Sequence, residues 1–146
     1  MEHVVADIVS KSFSVKADDP YGASHDLLHW CQQFGRVEEN RNRVLSSGPR
    51  VMSEVDFTLR KALDRFSSVV FKVKMDGHVS MKRLEVIVNA SYRAEIPSAQ
   101  GVLTSVFEEY YRSRIFPALQ GTAQKVAEDL VEAMEKRLVP VQLKAL

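Results

Sequence analysis

The chain has 146 residues, of which 45% are hydrophobic and 27% charged. This length suffices for one domain with a hydrophobic core, so we expect a single domain over residues 1–146, and the composition excludes a disordered tail, a collagen-like repeat and a disulfide scaffold. The 20 basic and 19 acidic residues give a net charge of +1, which does not indicate a strongly basic nucleic-acid binder. The single cysteine and the lack of a signal peptide or a long apolar run predict a cytoplasmic protein without a membrane helix.

The N-terminal segment predicts a strand followed by a helix. Residues 4–15 alternate imperfectly between apolar and polar side chains, as in a strand. Asp19 has the side chain of an N-cap, and Pro20 suits the first helical position. The helical pattern continues to about Phe34, and Gly35 ends it.

This helix carries two candidate chemical features. His25 and His29 are four residues apart and could hold a divalent metal from one helical face, but two exposed histidines are the favoured interpretation because no third ligand is evident. Cys31 lies on the opposite, apolar face with Trp30 and Phe34. We therefore expect a buried structural thiol rather than a nucleophile.

Residues 36–50 are polar and are interpreted as a solvated loop with a short strand around 42–45. Clustered arginines can bind phosphates, so the segment is also a candidate nucleic-acid site. Glu38 and Glu39 interleave with the basic residues and no aromatic platform accompanies them, which favours the solvated loop. The candidate residues are Arg36, Arg41, Arg43 and Arg50.

Three further segments predict strands: 51–59, 66–75 and about 83–96. Asp76-Gly77 is typical of a hairpin turn. The apolar positions change from odd to even numbers after this turn, which predicts a bulge or loop near Lys82.

Two carboxylates, Glu54 and Asp56, share one face of the 51–59 strand and could serve acid–base chemistry or bind a cation. A structural role is favoured. If the strand pairs with 66–75 about a centre near residue 64, Asp56 faces Lys72 and Glu54 faces Lys74. A rival interpretation makes residues 53–66 helical.

The C-terminal third predicts a long helix to about Leu138 and an extended tail over 139–146. The apolar stripe turns by about half a helical turn beside Pro117, so the helix is kinked there or two helices meet. A stripe left uncovered would mark an interface. We therefore predict a homodimer through the C-terminal helix.

The order of elements predicts an α+β fold: an antiparallel sheet of four to five strands, an N-terminal helix, and a long Pro-kinked C-terminal helix packed on one face. In outline this resembles the helix-grip arrangement of START-like and lipid-transfer domains. The resemblance implies an apolar small ligand held between sheet and helix. Tyr110, Tyr111 and Arg114 could then bind its polar head.

A second resemblance rests on residues 51–135, and chiefly on the run from Phe107 to Ile115, in which a tyrosine precedes Ser-Arg-Ile. This run is similar to one in small uncharacterised archaeal proteins. The chain departs from them at Pro117 and Gly121. The resemblance brings no activity and no site residues.

No nucleophile elbow, phosphate loop or dinucleotide motif occurs in the sequence. The leading hypothesis is therefore a non-catalytic binding or interaction protein that needs no cofactor. The alternatives are a carrier of an apolar small molecule and a nucleic-acid accessory protein that uses the 36–50 segment.

Overall fold

Five antiparallel strands form one sheet in the order β1-β5-β4-β3-β2. The computed structural model describes residues 2–48, 50–96 and 116–144. The elements in chain order are β1 (Glu2–Lys16), α1 (Pro20–Cys31), β2 (Arg36–Ser47), β3 (Arg50–Ala62), β4 (Ser67–His78), β5 (Arg83–Ile96) and α2 (Phe116–Lys144). This confirms the predicted α+β class and the helix-grip-like arrangement.

The two faces of the sheet differ in character. Along β3 the side chains of Val55, Phe57 and Leu59 are fully buried, whereas the residues between them are partly exposed. We call the face covered by α1 and α2 the inner face and the opposite one the outer face. The largest fully buried side chains belong to the inner face and α-helices: Tyr92, Phe57, Phe71, Leu27, Leu59, Met75, Leu84 and Met134.

The start of α1 confirms the predicted capping. The Asp19 carboxylate accepts a hydrogen bond from the backbone N–H of Gly22 at 3.1 Å, and Pro20 occupies the first turn. The helix ends at Cys31, before the predicted Phe34, and a turn follows. Phe34 still packs against Trp30, with ring centroids 4.8 Å apart.

Gly77 lies within β4, so the predicted hairpin turn at Asp76-Gly77 is wrong. The chain continues to His78 and turns over residues 79–82. A Cβ atom at Gly77 would lie 2.7 Å from the Pro20 ring. The glycine is therefore needed because the start of α1 packs closely on the strand, not because the chain reverses there. The predicted loop near Lys82 is confirmed.

The polar segment after α1 forms a complete strand. β2 covers Arg36–Ser47, so the predicted solvated loop is wrong and the predicted short strand at 42–45 is too short. Polar and charged residues are tolerated here because β2 is the edge strand of the described sheet and most of its side chains are exposed.

The pairing of β3 with β4 differs by two residues from the prediction. Asp56 lies opposite Lys74 rather than Lys72, and Glu54 lies opposite Asp76. The centre of the hairpin is therefore one residue further along the chain than predicted. The carboxylate of Asp64 fixes the loop by accepting hydrogen bonds from the backbone N–H groups of residues 66 and 67 at 2.9 and 2.8 Å.

The C-terminal helix packs on the inner face through a stripe of buried residues: Ala123, Ala127, Leu130, Val131, Met134 and Leu138. Arg137 binds Asp26 of α1 through two hydrogen bonds of 3.1 and 3.2 Å, and Lys11 of β1 pairs with Glu135. The predicted second-half stripe is thus covered by the chain's own sheet.

The described part of this helix contains two prolines. Pro117 is its second residue. The helix continues through Pro140 to Lys144, so the extended tail predicted over 139–146 is wrong for its described part. Pro140 removes one hydrogen bond without ending the helix. The first half of the predicted stripe lies outside the described residues.

Candidate functional site

Four arginines surround one cavity at the end of the sheet near the β3–β4 loop. The cavity measures about 530 Å³. We call it the arginine pocket, and its lining consists of Arg36, Arg60, Ala62, Asp64, Arg65, Phe66, Ser67, Ser68, Arg93 and Ala94.

Strand register brings these residues together from separate parts of the chain. Arg36 opens β2 and lies directly opposite Arg60 of β3. Ser68 of β4 lies opposite Arg93 of β5, and Arg65 belongs to the adjoining loop. Since neighbouring strands are about 4.8 Å apart, guanidinium groups from β2, β3 and β5 span the width of a small ligand.

The polar contacts inside the pocket leave guanidinium groups available. Arg60 donates one hydrogen bond to the Ser68 hydroxyl, with 3.2 Å between Nη1 and Oγ. The Nε of Arg93 is buried and has no hydrogen-bond partner among the described residues. Among the described lining residues, Asp64 is the one carboxylate. Its Oδ1 also accepts a hydrogen bond from the Ser67 hydroxyl at 2.6 Å, so this carboxylate stabilises the β3–β4 loop.

Two other arginines of the outer face, in contrast, are ion-paired. Arg43 donates to Glu54 at 2.6 Å, and Arg41 lies 3.4 Å from the same carboxylate. The hydrogen bond from Arg43 lowers the pKa of Glu54. Over the described part of the chain, no carboxylate forms an ion pair with any of the pocket arginines.

The four arginines predicted as a nucleic-acid site lie in different parts of the structure. Arg36 belongs to the pocket, whereas Arg41 and Arg43 belong to the ion-paired part of β2. Arg50 begins β3 at the end remote from Arg60. Of the four pocket arginines, the basic segment predicted from the sequence therefore contains only Arg36.

Sequence reasoning missed Arg60, Arg65 and Arg93. Each stands near the end of a predicted strand and no local motif links them. Only the register of β3, β4 and β5 brings them to one place. Their common signal in the sequence is an arginine close to the end of a predicted strand.

The two histidines of α1 differ in their surroundings. His29 is exposed as predicted, but His25 is half-buried against the Tyr21 ring, with centroids 4.5 Å apart. The Nε2 of His25 is buried without a partner, so the prediction of two exposed histidines is wrong for this residue. The His25 and His29 rings lie 6.2 Å apart.

Neither a metal centre nor a membrane span is visible in the described part of the chain. Among residues 2–48, 50–96 and 116–144, no three His, Cys, Asp or Glu side chains converge on a site that could hold a metal ion. Within the same ranges, no helix is long and apolar enough to cross a bilayer. Glu54 and Asp56 instead make the ion pairs with β2 described above, and Arg41 Nε lies 4.0 Å from Asp56.

Cys31 is fully buried, as predicted, and burial raises the pKa of its thiol to about 12. The candidate ligand residues Tyr110, Tyr111 and Arg114 lie outside the described residues. So does the run 107–115 on which the resemblance to archaeal proteins rests.

Comparisons with known proteins add little to this geometry. No protein-family model matches the chain, and no curated protein matches it. Among solved structures, the crystal structure of Ara h 8.0201 is similar at 9% sequence identity, with 84% of this chain and 99% of that chain covered and a TM-score of 0.30. A likeness at this level does not define a shared function.

Proposed function

We propose that the protein binds a small organic molecule that carries a phosphate or sulfate group, and that it does so in the arginine pocket. The observation that carries this proposal is the arrangement of four arginines around one cavity, none of which forms an ion pair with a carboxylate of the described residues. Guanidinium groups match the geometry of such oxyanions because each can donate two parallel hydrogen bonds.

The charges of the pocket favour an anionic ligand. Arg36 and Arg60 face each other across adjacent strands, and like charges in that position destabilise a sheet. Asp64 is one negative charge against four positive ones. An anion with two negative charges would relieve the repulsion among the arginines and would pair the buried Nε of Arg93.

The size of the pocket favours an organic ligand over a bare ion. A cavity of about 530 Å³ falls within the range of small-molecule sites. Ala62, Ala94 and the half-buried ring of Phe66 give its wall an apolar part beside the charged one. The oxyanion would meet the guanidinium groups, and the organic part would lie against this wall.

The other expected functions stay alternatives with different sites. A carrier of an apolar molecule would use the space between the inner face and the C-terminal helix, where the described part of α2 is closely packed. A nucleic-acid accessory protein would use the basic residues of β2. A homodimer through the C-terminal helix is a further prediction, and none of these requires the arginine pocket.

The test is a thermal-shift panel that includes inorganic phosphate, sulfate, acetate, a nucleoside monophosphate and a short oligoribonucleotide. A ligand at about 100 times its dissociation constant stabilises the fold by roughly 2.7 kcal/mol. We expect stabilisation by phosphate, more by the monophosphate, and little by acetate. Arg93→Gln and Arg60→Gln should reduce it by about half or more.

Arg41→Gln is the matched control, since it removes an arginine of the same face that is already paired. A response that Arg41→Gln removes and Arg93→Gln leaves would overturn the proposal. Tighter binding of the oligoribonucleotide with dependence on Arg41 and Arg43 would favour the nucleic-acid alternative. An apolar molecule in the native mass spectrum of the purified protein would favour the carrier.

A further inference from the structure

The strand β2, Arg36–Ser47, forms one edge of the sheet. Among the described strands only β3 pairs with it, so no described strand covers the backbone groups of its other edge. Such edges pair readily with another strand unless charges or bulges prevent it. β2 has charged side chains and a bulge. It also exposes two large apolar side chains, Val44 at 53% and Leu45 at 41%.

A bulge at Asn40 changes which residues of β2 point to each face. The register with β3 shifts between Glu39 and Arg41. Before the bulge, the odd-numbered Val37 and Glu39 belong to the inner face. After it, the even-numbered Asn42 and Val44 belong to that face.

This change restricts how two copies of β2 could pair antiparallel about a two-fold axis. Paired residues must belong to the same face of the combined sheet. When residues before the bulge face residues after it, as they do if most of the strand pairs, only an axis that passes between two consecutive residues meets this condition, because the parity of β2 changes at the bulge. In such pairs, an axis through a residue would put inner side chains against outer ones.

With the axis between Asn40 and Arg41, the strand complements itself. Val37 faces the partner's Val44, and Glu38 faces the partner's Arg43. By symmetry each contact occurs twice. Two opposite-charge pairs and two β-branched pairs are the cross-strand contacts that stabilise antiparallel sheets.

The neighbouring registers are less complementary. An axis between Glu39 and Asn40 puts Glu38 opposite the partner's Arg41, but it also puts Arg36 opposite the partner's Arg43, so two attractions are offset by two repulsions. An axis between Arg41 and Asn42 puts Glu38 opposite the partner's Leu45. The pattern of charges therefore favours one register over its two neighbours.

We propose that β2 is a self-association edge, through which two copies of this chain join their sheets into one ten-stranded antiparallel sheet with the axis between Asn40 and Arg41. This interface shares only Arg36 with the described lining of the arginine pocket and does not rest on the proposed ligand. The ion pair between Arg43 and Glu54 fixes the Arg43 side chain through its Nε, so that the other guanidinium nitrogens stay available to the partner's Glu38.

Light scattering and sedimentation equilibrium on the full chain test this interface. We expect a dimer whose dissociation constant rises roughly ten- to thirty-fold in Glu38→Arg, since the change converts two attractions into two repulsions. The double variant Glu38→Arg with Arg43→Glu should restore the dimer. Val44→Lys should weaken it, and Val79→Lys, at an exposed valine outside β2, should not.

Circular dichroism of each variant separates loss of the dimer from loss of the fold. A wild-type chain that stays monomeric at high micromolar concentration would overturn the proposal. So would a dimer that Glu38→Arg and Val44→Lys leave intact. A double variant that does not regain the dimer would refute the assigned register.

Discussion

Substitution of Gly77 by alanine tests how closely α1 packs on the sheet. The added Cβ would lie 2.7 Å from the Cβ of Pro20 and would also meet the Ser53 hydroxyl. The hydroxyl can rotate, but Pro20 is held in the first turn of α1. Overpacking of this kind costs about 1–3 kcal/mol, and the lower backbone entropy of alanine offsets about 0.5–1 kcal/mol.

We therefore expect Gly77→Ala to lower the free energy of unfolding by about 1–2 kcal/mol, a decrease in Tm of roughly 3–8 °C. Gly121→Ala is the matched control, because a Cβ there meets nothing within 4 Å and the site is an exposed helical position. It should raise stability by up to about 1 kcal/mol. Both values come from urea unfolding followed by circular dichroism. If Gly77→Ala is as stable as the wild type, the close approach of Pro20 to β4 is wrong.

Two further predictions concern titratable groups. Because burial raises the pKa of the Cys31 thiol to about 12, a thiol reagent should label it in native buffer only as fast as the chain unfolds, and rapid stoichiometric labelling would contradict its burial. Burial raises the pKa of Asp76, with repulsion from Glu54, Asp56 and Glu85 adding to it and Lys74 opposing it. The folded state then binds more protons than the unfolded one, so this group lowers stability as pH rises above about 4. Asp76→Asn should have a higher Tm than the wild type at neutral pH and no advantage below about pH 4; an equal Tm at neutral pH would refute this reasoning.

The sequence predicts those parts of the fold that local physical chemistry determines. Alternation of apolar residues located β3, β4 and β5, and Asp19 with Pro20 located the start of α1, because each signal lies within a few residues of the element. The edge strand β2 was not predicted in full, because its many charged residues leave little alternation of apolar and polar side chains. The turn predicted at Asp76-Gly77 was wrong because the glycine is required by its close contact with α1. The same two residues also form a common turn sequence, so the local pattern does not distinguish the two cases.

The candidate site depends on relations that the sequence does not contain. Arg36, Arg60 and Arg93 converge only because β2 to β5 pair in a particular register. The sequence gives this register to within two residues, as the pairing of Asp56 with Lys74 instead of Lys72 shows. An error of two residues leaves each side chain on its correct face but moves its neighbours by one pair. That suffices to hide a pocket.

Titration of inorganic phosphate into the protein, followed by calorimetry, tests the central claim most directly. The measurement compares the wild type with Arg93→Gln and Arg41→Gln at constant ionic strength, so that screening is equal for all three. The account predicts one site per chain in the wild type and in Arg41→Gln, and a loss of affinity of about ten-fold or more in Arg93→Gln, as expected when a charge-assisted hydrogen bond of about 1.5–3 kcal/mol is removed. Equal affinities in all three proteins, or no heat of binding in the wild type, would contradict it.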